Sequence, residues 1–185
     1  EKRPVIVYFF GGGWKLGTPL QFYRECAYYA SKGMVAVSVD YRIEYLHHST
    51  PFDSFEDAKD AICWLRSHAS DYQLDPDKIA VAGGSAGGHL AAALGTIGSD
   101  EAVNYRPNLS VLYYPVVDMV SRGYGFPEIK RDFEKISPIH HVSEATPSTL
   151  ILLGTKDPIV SVETIRSYQD KLLQKGVDCE LHLFE

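Results

Sequence analysis

The chain has 185 residues, 45% of them hydrophobic and 23% charged, and carries a formal net charge of −6. That length fits one domain with a sizeable core, and the composition is that of an ordinary globular protein. An acidic balance without a long basic stretch argues against a nucleic-acid partner, and no apolar run reaches the length of a membrane-spanning helix.

Glu1-Lys2-Arg3-Pro4 leads straight into a strand, which reads as a trimmed start and leaves the compartment unknown. Pro4 to Phe10 is rich in β-branched and aromatic residues, a strand pattern, and it runs into Gly11-Gly12-Gly13-Trp14. Helical spacing at Phe22, Cys26, Tyr29 and Ala30 predicts a helix over Gln21 to Lys32, stopped by Gly33. Met34 to Val39 is a second buried strand, followed by Asp40-Tyr41-Arg42. Tyr45 to Phe52 reads as a loop carrying His47 and His48. Asp53 can then cap a helix, with Glu56 at the capping-box position and Phe55, Ala58, Ile62, Leu65 and Ala69 inward. Asp75-Pro76-Asp77 is a turn.

Ile79 to Ala82 is a short buried strand, and Leu90 to Leu94 consists of strong helix formers. Between them Gly83, Ser85 and Gly87 form G-x-S-x-G. A strand that becomes a helix within a few residues strains the turn residue, and glycines on both sides let the two elements approach. Ser85 then projects its hydroxyl clear of the sheet. Its own amide and that of Ala86 sit at a helix N-terminus, where negative charge is favoured. Exposure plus oxyanion donors is what a nucleophilic serine requires. The glycines at Gly11–Gly13 end another buried strand and offer further backbone donors.

Leu109 to Tyr114 is the next strand, closed by Pro115. Residues 116–147 are less regular, with a short helix expected over Pro127 to Ile136, Ile129, Phe133 and Ile136 inward. The stretch reads as an insertion over the sheet edge that shapes the substrate pocket. Thr149 to Leu153 is a strand leading to Gly154-Thr155-Lys156-Asp157-Pro158. Ser161 to Lys175 is a helix stopped by Gly176, and Asp178 to Phe184 is the last strand. Strands alternate with helices, and most strands are continuously apolar. The fold class is therefore α/β: a three-layer sandwich with a mostly parallel central sheet and helices on both faces. Cys26, Cys63 and Cys179 are widely spaced, with no C-x-x-C pair. They read as buried small apolar residues, not as a metal site or disulfide framework.

Four stretches resemble the α/β-hydrolase fold esterases and lipases, in the branch of hormone-sensitive-lipase-like and acetylxylan-esterase-like proteins. They are FFGGGW at Phe9–Trp14, DYR at Asp40–Arg42, LDPDKIAVAGGSAGGHLAA at Leu74–Ala92 and GTKDPIV at Gly154–Val160. The resemblance implies Ser85 as nucleophile, Asp157 as the acid of a triad, and an oxyanion hole from the amides of Gly12, Gly13 and Ala86. Phe10 stands where the family's glycine motif has histidine, which removes a side chain that helps hold the loop. The family's catalytic histidine follows the strand that here is Asp178–Phe184, and further strands precede the one at Pro4. Residues 1–185 thus read as one domain, incomplete at both ends.

A serine at its ordinary pKa needs an adjacent base. His89, one turn into the elbow helix, points away from where that base must stand. His47, His48, His68, His140, His141 and His182 are weak candidates too, so a base beyond Glu185 is the stronger expectation. Asp118, after the Leu109 strand, competes with Asp157 for the acid's role. The expected activity is hydrolysis of short-chain acyl esters through an acyl-enzyme and without metal or cofactor, and the resemblance extends it to acetylated or feruloylated carbohydrate. Amide cleavage by a prolyl-oligopeptidase-like or arylformamidase-like relative stays open. So does a binding protein on a hydrolase scaffold that lacks its base.

Overall fold

All six strands of the sheet run in one direction: β1 (Arg3–Phe9), β2 (Val35–Val39), β3 (Leu74–Gly84), β4 (Leu109–Tyr113), β5 (Ser148–Gly154) and β6 (Cys179–Phe184). They lie in the order β2-β1-β3-β4-β5-β6. The computed structural model describes residues 2–98, 105–119 and 132–185. Among these, the helices are α1 (Tyr23–Ser31), α2 (Glu44–His47), α3 (Pro51–Ser67), α4 (Ala86–Thr96), α5 (Phe133–Ile136) and α6 (Val162–Gln174). Parallel strands put every C-terminal end on one edge, so the turns after β1, β3, β4 and β5 share a single rim.

The two faces of the sheet are covered unequally. Val5, Val7 and Phe9 of β1 pack with Ile79, Val81, Leu112 and Ile151 against α3, α4 and α6, which contribute Ile62, Leu90, Leu94, Ile165 and Leu172. On the other face Ile6, Tyr8 and Ala82 meet Phe22, with Cys26 and Tyr29 of α1 only half-buried. Every residue of α4 is buried. Its run of alanine and glycine is what allows a helix to sit that deep between sheet and neighbouring helix.

Several sequence boundaries shift for local reasons. The first helix starts as a 3-10 turn over Pro19–Phe22 and becomes α-helical at Tyr23, with Ala30 exposed. The stretch after Tyr45 is not all loop: α2 ends at His47, and His48 adopts φ 52° as its left-handed cap. α3 begins two residues before Asp53. Thr50 is its cap, accepting from the Asp53 amide while the Asp53 carboxylate accepts from the Thr50 amide, and Pro51 fills the first helical position. Glu56 pairs instead with Lys59 at 2.6 Å. β3 extends back to Leu74, so Asp75-Pro76-Asp77 belongs to the strand. β4 stops at Tyr113 because Tyr114 turns to φ 37°. Only the last turn of the expected 127–136 helix is described, as α5. Ile129 lies outside the described residues, while Ile136 is buried and Phe133 half-buried. The three cysteines are free and only partly buried, which corrects the expectation of full burial.

Candidate active site

β3 ends at Gly84 and α4 starts at Ala86, so one residue makes the whole reversal. Ser85 has φ 54° and ψ −117°. L-residues avoid that region, and holding one there costs about 1–3 kcal/mol. The surroundings enforce it. The Ser85 amide donates to the Tyr113 carbonyl at 3.0 Å, and its carbonyl accepts from the His89 amide at 2.9 Å and the Val116 amide at 3.4 Å. The Ser85 amide is therefore committed to β4, which corrects its expected place among the helix-terminus donors. A methyl on Gly87 would strike the carbonyl oxygens of Phe9 and Phe10 at the end of β1. From Val81 to Leu90, Ser85 alone is not fully buried. The turn thus lifts one side chain to the surface out of an otherwise closed segment.

The Gly11–Trp14 loop lies against this elbow. A methyl on Gly11 would fall 3.4 Å from the Ser85 Cβ and 2.9 Å from the Gly84 carbonyl oxygen. Gly12 at φ 135° and Gly13 at φ 64° take conformations that side chains disfavour, and any Cβ at Gly12 would also meet the Leu16 carbonyl. Hydrogen bonds and ring contacts from neighbouring elements hold the loop. Gln21 Oε1 accepts from the Gly11 amide at 2.6 Å. The Tyr41 hydroxyl donates to the Phe10 carbonyl at 2.6 Å, and the Phe10 and Tyr41 rings stack with centroids 4.1 Å apart. The Glu44 and Tyr45 amides donate to the Trp14 and Lys15 carbonyls at 2.9 and 3.1 Å. Trp14, 1% exposed, presents its ring edge-on to His89 with centroids 5.0 Å apart. The absence of histidine at position 10 is thus met by an aromatic stack and by the tyrosine of the DYR stretch. Arg42 of the same stretch clamps α3 through Asp57, Nη2 to Oδ1 at 2.7 Å. Among the described residues, no protein group accepts from the amides of Gly12, Gly13 or Ala86.

Asp157 follows β5, two strands along the same rim. Its Oδ1 accepts from the amides of Ile159 and Val160, both at 2.8 Å, which fixes the carboxylate from one side. Asp118 instead lies 4.0 Å from His140 Nε2.

Among the described residues, no histidine side chain hydrogen-bonds the Ser85 hydroxyl. His89 is fully buried, and its Nε2 is 2.7 Å from the Ile136 carbonyl oxygen, so that nitrogen carries the hydrogen. Burial pushes its pKa down to about 4, leaving a neutral ring that ties α4 to α5. His47 caps α2 by accepting from the Ile43 amide, His68 meets the Trp64 carbonyl, His141 the Glu134 carbonyl and His182 the Glu180 carboxylate. Among the described residues no three metal-ligating side chains converge. No helix there is long and apolar enough to cross a membrane.

The structure therefore sets the glycine loop against Ser85 through Gly11, with Ala86 opening the helix beyond it, and places Asp157 on the same edge of the sheet. Sequence reading missed Gln21 and the clasp of Tyr113 and Val116 around Ser85. Neither carries a sequence signal, since one acts through a single side-chain oxygen and the other through backbone. Tyr41 stood inside a quoted motif, but only the fold shows what its hydroxyl holds.

The BD-FAE family profile matches residues 1–130. Esterase LipC of Mycobacterium tuberculosis is 32% identical over 203 residues, which span 93% of this chain and 49% of that protein. An acetylxylan esterase of Xylanibacter ruminicola is 25% identical, over 94% of this chain and 38% of its own length. Among solved structures, Thermogutta terrifontis esterase 2 phosphoramylated by tabun superposes with a TM-score of 0.92 at 38% identity, covering 100% of this chain and 72% of that one. Its propionate-bound form gives 0.90, covering 100% of this chain and 73% of that one. The chain spans about half the length of curated relatives such as LipC. On these matches and on the strand order and elbow described above, the chain belongs to the BD-FAE family and has the α/β-hydrolase fold of esterases.

Proposed function

We propose that this chain forms the catalytic core of a serine carboxylic-ester hydrolase. The observation that carries the reading is the strained, surface-lifted Ser85 lying against a glycine loop with unengaged amides. Ser85 Oγ attacks the acyl carbon, and the amides of Gly12, Gly13 and Ala86 receive the oxyanion. Backbone donors fixed before the reaction need no reorganisation as charge develops, which is why such a hole favours the transition state. Asp157 orients a histidine that takes the serine proton, returns it to the leaving alcohol, and then activates water to release the acid. Because no histidine side chain among the described residues hydrogen-bonds the Ser85 hydroxyl, that base is assigned to residues following β6 in the natural protein.

The substrate class is a short-chain acyl ester. One structural relative, Thermogutta terrifontis esterase 2, is described in propionate-bound, butyrate-bound and paraoxon-phosphorylated forms. Carbohydrate as the alcohol part draws on the acetylxylan esterase alone. The described parts of the expected insertion, residues 116–119 and 132–147, are assigned to shaping the pocket, since the Ile139 amide donates to the Val117 carbonyl next to the end of β4. The test uses the full natural protein, a p-nitrophenyl acyl ester and a fluorophosphonate probe. Ser85→Ala should abolish labelling and lower turnover by about 10⁴-fold or more; wild-type labelling in that variant would refute the assignment. The lack of a bonded histidine also suits a binding protein on a hydrolase scaffold, and that reading requires labelling without turnover.

A further inference from the structure

Ser85 is not the only strained residue on the rim. Tyr114, the first residue after β4, sits at φ 37°, outside the range that aromatic residues ordinarily adopt. Its amide donates to the Leu152 carbonyl of β5 at 2.7 Å, while the preceding Tyr113 carbonyl accepts from the Ser85 amide. The next two residues complete a clasp: Pro115 lies against Gly88 and the Val116 amide reaches the Ser85 carbonyl. The unusual φ swings the Tyr114 side chain back onto the elbow. A methyl on Gly84 would come within 2.9 Å of the Tyr114 hydroxyl and 3.1 Å of its Cζ. Yet Tyr114 remains 38% exposed, so the ring is wedged on one side and open on the other.

The strand order adds the second observation. Ser85 follows β3, Asp157 follows β5, and β4 lies between those two strands. Strands in a sheet are about 4.8 Å apart, so the ends of β3 and β5 that carry nucleophile and acid are roughly 10 Å apart. Two hydrogen bonds of about 2.8 Å plus one imidazole ring bridge a gap of that size. The bridging ring must then stand over the end of β4, where Tyr114 is.

We propose that Tyr114 is a positioning residue for proton transfer: its ring, pinned by the strained backbone at the end of β4, is the platform that seats the base between Ser85 and Asp157. This rests on the reading of Ser85 and Asp157 as nucleophile and acid. An aromatic face under the imidazole also attracts the imidazolium that forms as the serine is deprotonated, an interaction stronger in the transition state than before it. Burial, and after it the Asp157 and Glu25 carboxylates, push the phenol above its ordinary pKa, so the ring stays neutral at working pH.

The experiment is steady-state kinetics with p-nitrophenyl butyrate on the full natural protein. Tyr114→Gly accepts the backbone angle without strain and removes the ring, and Tyr114→Asn, also tolerant of that angle, serves as a second ringless variant. Both should lower kcat by about 10-fold or more with KM within about 3-fold, whereas Tyr114→Phe keeps the platform and should stay within about 3-fold of wild type. A kcat within 3-fold in a folded ringless variant overturns the proposal, as does a Phe variant that falls as far as the Gly one. Ser85→Ala, run alongside, separates the two levels: undiminished turnover there refutes the nucleophile assignment whatever the Tyr114 variants do.

Discussion

The elbow at Ser85 and the turn at Asp157 stand on one rim but are built by opposite means. Ser85 is held by β1, β4 and its own helix, and its backbone takes an angle that it would leave if any of them moved. Asp157 is held by residues two and three positions further along, through ordinary hydrogen bonds to backbone. The first site is inseparable from the core, whereas the second is a local turn placed by the strand before it. Perturbing the elbow should therefore change stability and chemistry together, and perturbing the acid turn should change chemistry alone.

The largest separation is expected at the acid. Asp157→Asn keeps an oxygen for the Ile159 and Val160 amides but removes the charge that, in the proposed mechanism, orients and stabilises an imidazolium. Turnover of a p-nitrophenyl ester by the full natural protein should fall by about 10³- to 10⁴-fold, with the urea midpoint unchanged. A large loss of stability would show that the turn is not merely local.

His89 tests the elbow side through pH. Its pKa is about 4 when folded, against 6.5 as the ordinary value. Between those values the unfolded chain binds a proton that the folded chain refuses, so this contribution is present above pH 6.5 and is lost as pH falls toward 4. The full effect is on the order of 3 kcal/mol. His89→Gln, which retains a donor for the Ile136 carbonyl, should flatten that part of the stability–pH curve in urea titrations. An unaltered slope would mean that folding leaves the ring's proton affinity unchanged.

Gly87→Ala should destabilise by about 1–3 kcal/mol, because the added methyl meets the end of β1 and cannot move without reopening the elbow. Turnover should drop with it, unlike the Asp157 case. The smallest effect is expected at the glycine loop. Tyr41→Phe keeps the stack on Phe10 but leaves the Phe10 carbonyl without its donor, a loss of about 1 kcal/mol by denaturation. Its companion readout is a several-fold lower kcat from a looser oxyanion loop; unchanged kcat would indicate that Gln21 and the Glu44 amide suffice.

By itself the sequence determined the parallel sheet, the elbow and the glycine loop. Runs such as Val5–Phe9 admit only a strand buried on both faces, and the spacing of Gly83, Ser85 and Gly87 records close approaches that exclude a Cβ. It also placed Asp157 on the rim, because a buried strand immediately precedes it. Tertiary structure alone decided what holds those parts. The commitment of the Ser85 amide to Tyr113, the reach of Gln21 and Tyr41 to the glycine loop, and the Tyr114 ring over Gly84 all join residues distant in the chain. Bonds made by backbone, or by one atom of an otherwise ordinary side chain, leave no periodicity or composition to read. The start of α3 at Pro51 is the local counterpart: Thr50 and Asp53 formed a capping pair three residues ahead of the one that spacing suggested. Both were compatible with the sequence, and the fixed φ of Pro51 selected between them.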